Sequence, residues 1–102
     1  MRSIRLSRTF NEELSALLEQ GLSQFGAQVV AQKSTLVFWT IQHFLAHYPV
    51  RPIDPHLGIC AYPVTRTPFV ILYDYDAIEL RIHLIINGAA DRTQIDLATV
   101  KW

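Results

Sequence analysis

The sequence predicts an α+β domain in which a short strand and two helices precede a three-stranded antiparallel meander. Helical periodicity is confined to the first half of the chain, and apolar runs of strand length fill most of the second half. The links between those runs are too short for crossover helices, so the strands must be antiparallel. Helices followed by strands in this order are typical of a sheet with both helices on one face. The 102 residues are enough for one domain, residues 1–102.

The first quarter of the chain predicts a strand and a helix. Ile4 and Leu6 alternate with polar residues, which favours a short strand. Thr9 and Glu12 have the spacing of a capping box, so the first helix is predicted to begin there. Gly21 is predicted to end it. The apolar side of this helix consists of Phe10, Leu14, Leu17 and Leu18.

A longer second helix is predicted at residues 27–47, and Pro49 ends it because proline disfavours helical geometry in the residue before it. The short link between the helices predicts an antiparallel hairpin. Residues 50–56 form an irregular crossing loop. The apolar stripe of the second helix consists of Val30, Val37, Phe38, Ile41, Phe44, Leu45 and Tyr48.

Three strands are predicted in the second half, at residues 59–64, 69–75 and 77–87. Residues 74–76 are predicted to turn the chain between the last two strands. Strict alternation predicts that the third strand directs its apolar residues to one face; these are Ile78, Leu80, Ile82, Leu84 and Ile86. Its polar residues, on the other face, are Glu79, Arg81 and His83.

An apolar patch is expected on the sheet, since residues 69–73 and 84–86 are apolar on both faces and two helices cover only one. Such a patch indicates a protein interface. The alternatives are that the crossing loop or a homodimer covers it.

Composition excludes some classes of protein. Nine basic residues balance nine acidic ones, which disfavours an extended nucleic-acid surface. The single cysteine, Cys60, leaves no internal disulfide and fits a reducing compartment. The first ten residues lack the apolar core of a signal peptide, and no apolar run approaches the roughly 20 residues that span a bilayer. We therefore expect a cytoplasmic protein without membrane contact.

Five segments occur in an order that resembles a known family. They are IRLS, QFG before the long helix, HFLAHYPVRP, LGICAYPVTRTPFVILYDYD and IHLIINGAAD. Together they cover nearly the whole chain and resemble the ParE/RelE toxins of bacterial type II toxin–antitoxin systems. Three positions depart from the pattern. Cys60 stands where many members have Arg, Asn87 replaces the His of a His-Gly pair, and Ala90 replaces an Arg before Asp91.

The resemblance is compatible with two kinds of activity. RelE-type members cut messenger RNA on the ribosome, and here Arg66, Arg81 and His83 are the candidate catalytic residues, with Tyr62 or Tyr73 nearby. Residues 81 and 83 lie two apart on one strand and so share a face. The alternative interpretation is that Arg81 pairs with an acidic neighbour, Glu79 or Asp76, and that His83 faces solvent.

ParE-type members inhibit DNA gyrase without cleaving RNA, and the sequence is closer to them because two cations and one histidine of the family's pattern are missing. The resemblance then implies a toxin that binds gyrase, is neutralised by a cognate antitoxin, reaches DNA only through that antitoxin, and needs no cofactor. A homodimer or a heterotetramer is the expected assembly. A decayed toxin that only binds its antitoxin is a further alternative.

Candidate contact residues for target or partner are Trp39, Tyr62, Arg66, Tyr73, Arg92 and Trp102. Trp39 lies on the glutamine-rich side of the second helix, and exposed tryptophans are favoured interface anchors; the alternative is that it is half-buried against the crossing loop. Trp102 is either docked or presented to a partner. His43 and His47 have the spacing of two metal ligands. They are interpreted instead as residues at a helix end, where positive charge is favoured, and no metal site is predicted.

Overall fold

The computed structural model describes residues 1–102 and has the predicted α+β order. Strand β1 (Ser3–Leu6) leads into helix α1 (Arg8–Phe25) and helix α2 (Ala27–Trp39), which continues as a π-helical segment (Thr40–Leu45). Strands β2 (Cys60–Pro63), β3 (Phe69–Tyr75) and β4 (Glu79–Asn87) follow. Two 3-10 turns, Arg92–Gln94 and Leu97–Thr99, lie in the last segment, and we call residues 91–102 the tail. No helix is both long enough and apolar enough to cross a membrane.

The four strands form one mixed sheet in the order β1-β4-β3-β2. The last three strands pair antiparallel, as the meander prediction requires, and β1 pairs parallel with β4. Both helices pack on one face, where a cluster of 14 buried residues forms the main core. We call this the helix side of the sheet and the opposite face the tail side.

Helix α1 begins two residues before the predicted capping box. Ser7 is its N-cap, with extended backbone angles, and its Oγ accepts a hydrogen bond from the Phe10 N–H at 2.7 Å. The same hydroxyl donates to the carbonyl of His83 at 2.6 Å. Thr9 lies inside the first turn and accepts instead from the Lys101 N–H. The prediction of a Thr9–Glu12 capping box is therefore wrong, because the serine two positions earlier satisfies the free N–H.

Gly21 does not end α1, as the sequence predicted, because the helix continues to Phe25. Gly26 alone links the two helices, with φ of 85°, a left-handed conformation that glycine adopts without steric cost. A Cβ at position 21 would lie 3.5 Å from the Val30 side chain of α2. This is an ordinary van der Waals distance, so position 21 lies at the contact between the two helices and the space there would admit an alanine.

A bulge in β4 breaks the predicted alternation. Leu72 pairs with Leu84, but the next residue, Tyr73, pairs with Ile82, so His83 is an extra residue in the ladder. Leu80 and Ile82 consequently belong to the core on the helix side, whereas Leu84 belongs to a second cluster on the tail side. The prediction that all the even-numbered apolar residues share one face is therefore wrong beyond Ile82.

The tail side of the sheet is covered, contrary to the predicted exposed patch. Val70, Leu72 and Leu84 form a buried cluster there. The partly buried residues that pack on this cluster are Leu57, Ile59, Ala61, Ile86, Ile95, Leu97 and Val100. Three of these come from the tail, so the chain itself, rather than the loop at residues 50–56 or a second copy, covers the patch.

Candidate functional site

Arg81 and His83 lie at one end of the sheet on the tail side, in a cluster dominated by carboxylates. Arg81 Nε donates to Asp74 Oδ1 at 2.9 Å, and its Nη1 donates to Asp76 at 2.8 Å and to Glu79 at 3.2 Å. The alternative interpretation expected pairing with Glu79 or Asp76, and the structure shows both. It adds Asp74, which is the cross-strand partner of Arg81 in the β3–β4 register. One guanidinium thus faces three carboxylates.

The ion pairs shift the protonation equilibria of this cluster. The hydrogen bond from Arg81, supported by the backbone N–H groups of Ile78 and Glu79, lowers the pKa of Asp76 to about 2. Burial opposes ionisation of Asp74, yet its hydrogen bonds with Arg81 and His83 hold its pKa below the ordinary value. Hydrogen bonds to Asp74 and then Asp76 raise the pKa of Arg81. Asp74 and Asp76 therefore stay ionised below the pH at which an ordinary aspartate is protonated.

His83 is sheltered rather than open to solvent. Its Nε2 donates to Asp74 Oδ1 at 3.0 Å, since an ionised carboxylate can only accept. Its Nδ1 is buried without a hydrogen-bond partner. The ring of Trp102 meets the imidazole edge-on, with ring centroids 4.8 Å apart. The alternative interpretation, which placed His83 on the solvent face, is therefore wrong.

Trp102 packs on its own chain, against His83 and Arg5, so of the two alternatives it is docked rather than presented to a partner. The Arg5 guanidinium lies 5.0 Å from the centre of its indole ring. The N–H of the preceding residue, Lys101, donates to the Thr9 hydroxyl, and the Thr9 N–H donates to the carbonyl of Lys101. The indole nevertheless remains partly exposed. A ligand that approached His83 from the tail side would have to displace it.

The other candidate residues are dispersed. Arg66 lies in the β2–β3 turn, next to the end of the sheet where Phe69 pairs with Asn87. The six residues from Asn87 to Arg81 separate it from the carboxylate cluster by about 20 Å. The predicted grouping of Arg66 with Arg81 and His83 therefore does not form.

Neither tyrosine joins the cluster. Tyr73 is fully buried on the helix side, where its hydroxyl donates to the carbonyl of Pro49 at 2.7 Å, and burial raises its pKa. Tyr62 also packs on the helix side, against the ring of Phe44 and under the guanidinium of Arg51. Tyr73 is thus a core residue and not an accessible contact.

Arg92 fastens the tail to the crossing loop. Its Nη1 donates to Oδ2 of Asp54 at 2.8 Å, and the backbone N–H groups of His56 and Leu57 donate to Oδ1 of the same carboxylate. The hydrogen bond from Arg92 is the main cause of the lowered pKa of Asp54. Arg92 therefore contacts another segment of its own chain, and its guanidinium links the tail to the crossing loop.

Helix α2 presents the remaining candidate, Trp39. Its side chain is 55% exposed, and its ring lies 5.7 Å from that of His43, one turn further along. Trp39 thus lies with the exposed glutamines on the polar side of α2, and close to half of its side chain is buried. Sequence reasoning missed Asp74 as a member of the carboxylate cluster, because it assigned this residue to a turn.

No group of three or more His, Cys, Asp or Glu side chains is arranged to hold a metal ion.

The acid dependence of stability tests the carboxylate cluster. A carboxylate with a folded-state pKa below its unfolded value stabilises the protein above the unfolded pKa and loses that effect as pH falls. For Asp76 the window extends from its ordinary value of 3.8 down to about 2. We expect the stability difference between the wild type and Arg81→Gln to shrink over this window in urea unfolding. Arg8→Gln, at an exposed position, is the control. An unchanged difference from pH 5 to pH 2.5 would contradict the assignment.

Comparison with known proteins identifies the fold. No family model matches the chain, and no curated protein matches its sequence. Among solved structures it is similar to a chain described as "Chromosomal ParDE TA system from P. aeruginosa", with a TM-score of 0.73 and 16% sequence identity over 85% of this chain and 96% of that one. The protein therefore has the fold of a chain from the ParDE toxin–antitoxin system of P. aeruginosa, in agreement with the resemblance drawn from its sequence motifs.

Proposed function

We propose that the protein is the toxin of a type II toxin–antitoxin pair and acts by binding a protein target, DNA gyrase. The observation that carries this proposal is the fold likeness to the ParDE chain over 85% of the sequence. The ordered motifs from IRLS to IHLIINGAAD support it independently, because they depend on residue identity and not on backbone shape. We propose that its stable partner is a cognate antitoxin in the cytoplasm. The proposed assembly is either a heterotetramer of toxin and antitoxin or a homodimer of the toxin.

Binding, rather than RNA cleavage, is favoured by the state of the candidate nuclease residues. RNA cleavage needs cations free to stabilise the negative charge that develops on phosphate. Arg81 already contacts three carboxylates, so a phosphate at this place would meet excess negative charge. Arg66 is remote, and Trp102 covers His83. We therefore propose that the protein is not a nuclease and that it meets DNA only through its antitoxin.

Induced expression of the chain should arrest growth within a few generations, with loss of supercoiled plasmid and intact messenger RNA. The purified protein should also inhibit gyrase supercoiling. Arg81→Ala with His83→Ala should retain the arrest at equal levels of folded protein, because neither residue performs chemistry in this proposal. Arg8→Ala with His56→Ala, two exposed positions, gives a matched change of charge elsewhere.

The other outcomes discriminate between the alternatives. Cleaved messenger RNA with normal supercoiling, together with loss of arrest in the Arg81–His83 double variant, would replace the proposal with a ribosome-dependent nuclease. Growth without arrest would indicate a chain that binds an antitoxin but has lost its toxicity. Arrest with neither RNA cleavage nor relaxed plasmid would eliminate gyrase as the target.

A further inference from the structure

The outward side of α2 and its π-helical continuation carries almost no charge. Its exposed residues are Gln28, Ala31, Gln32, Thr35, Trp39, Gln42 and His43, and we call this set the α2 surface. On α1 the exposed residues include Arg8, Glu12, Glu13 and Glu19, which is usual for a helix that faces water. Depletion of charge around an exposed aromatic side chain is the composition found at the centres of protein interfaces.

Trp39 lies toward the C-terminal end of the α2 surface, and two shallow depressions lie along this surface. One, of about 780 Å³, runs between α2 and the β2–β3 turn, and Gln28, Gln32 and Arg66 line it. The other, of about 370 Å³, includes Trp39 itself and reaches His43. Thr35 lines both, so the two depressions are neighbours along the helix, and we call them together the track. An extended or helical segment of another protein would fit such a track better than a small molecule would.

The charges at the rim of this track are all positive. Residues 20–53 contain no Asp or Glu, and Lys33 lines the track. Arg66 adds a second cation at the opposite wall of the track. It is exposed and forms no salt bridge. It also has a φ of 66°, the one positive value among the non-glycine residues, and such outliers cluster at binding sites.

From these observations we propose that the α2 surface binds an acidic amphipathic segment of a partner protein. An apolar side chain of the partner packs on Trp39, and its carboxylates face Lys33 and Arg66. The glutamines donate and accept hydrogen bonds along the track. Binding at this surface does not require that the protein be a toxin.

A protein partner fits better than a nucleic acid. The two cations that line the track would neutralise few phosphates, and the chain has no net charge to add to them. Binding of single strands depends on several rings that stack successive bases. Along the α2 surface the indole of Trp39 and the imidazole of His43 are the only rings.

The test uses the full chain and a synthetic peptide of about 18 residues, with leucines on one helical face and glutamates on the other. Fluorescence anisotropy of the labelled peptide measures its affinity. Trp39→Ala should weaken binding by about tenfold, as expected for an interface anchor, and Arg66→Ala should weaken it less and reduce its salt dependence. Leu22→Ala is the matched control, since Leu22 is a similarly exposed apolar residue on α1.

Two comparison probes make the result decisive. The same peptide with lysine in place of glutamate should not bind, and an 18-base thymidine oligonucleotide should bind more weakly than the acidic peptide. Equal affinity for the lysine peptide, or unchanged affinity in Trp39→Ala, would overturn the proposal. Preference for the oligonucleotide, lost in Trp39→Ala, would overturn it in favour of a nucleic-acid surface. Since growth arrest is measured separately, failure here leaves the proposed toxin function intact, and the reverse also holds.

Discussion

Replacing Leu97 and Val100 together by aspartate should lower the free energy of unfolding by at least about 4 kcal/mol. Both side chains are partly buried against the cluster of Val70, Leu72 and Leu84 on the tail side of the sheet. Partial burial of each contributes about 1 kcal/mol, and a carboxylate placed against apolar surface costs a further 1–3 kcal/mol. The whole fold of a domain this size is stable by only about 5–15 kcal/mol, so the tail is a main structural element.

Urea unfolding followed by circular dichroism measures this effect. If the tail detaches, the exposed tail side of the sheet should also bind a hydrophobic dye at low urea. Ala98→Asp, at an exposed position between the two residues, adds one charge without touching the cluster and should change stability by less than about 0.5 kcal/mol. Equal unfolding midpoints for the double variant and Ala98→Asp would show that the tail does not cover the sheet.

Local signals explain the parts of the fold that the sequence predicted well. Strand β3 was predicted at its observed bounds because Pro68 and Asp76 delimit a segment that is apolar from Phe69 to Tyr73. The second helix was predicted to end at 47 and ends at Leu45, since Pro49 excludes a helical continuation. The last turn is π-helical, and the Ala46 N–H donates to the carbonyl of Ile41. Periodicity at 3.6 residues per turn does not indicate that change.

Tertiary pairing explains the parts that the sequence could not predict. The run Leu84-Ile85-Ile86 permits either face, so the bulge at His83 depends on how β3 and β4 align. In the tail, the apolar residues Ile95, Leu97 and Val100 have neither helical nor strand spacing. They are partly buried because they pack on the apolar cluster on the tail side of the sheet. Both Ser7 and Thr9 could have capped α1. Ser7 is the N-cap, and its hydroxyl also donates to the carbonyl of His83, a residue far away in the sequence.

In the candidate site, too, local sequence predicts some features and tertiary pairing determines the others. That Arg81 and His83 lie together follows from their spacing on one strand. That both contact Asp74 depends on the β3–β4 register, which the sequence does not specify. The remoteness of Arg66 likewise follows from the course of the hairpin, whose turn lies at the opposite end of the sheet.

Phe10→Ala should cost about 3–5 kcal/mol, the range for a large aromatic residue removed from a packed core. Phe10 is 0% exposed, belongs to the main core and meets the ring of Phe38 edge-on, with centroids 6.4 Å apart. It also lies in the first turn of α1, where its N–H is bonded to Ser7. Its loss therefore opens a cavity where the helix start, α2 and the sheet meet.

Phe25 offers the matched control within the same helix. It lies at the other end of α1, is 57% exposed, and makes a cation–π contact with Lys33. Phe25→Ala should therefore lose less than about 1 kcal/mol. Urea unfolding of both variants separates the two positions. Similar losses at both would mean that the hairpin packs on the sheet differently, with the C-terminal end of α1 and not its start against the core.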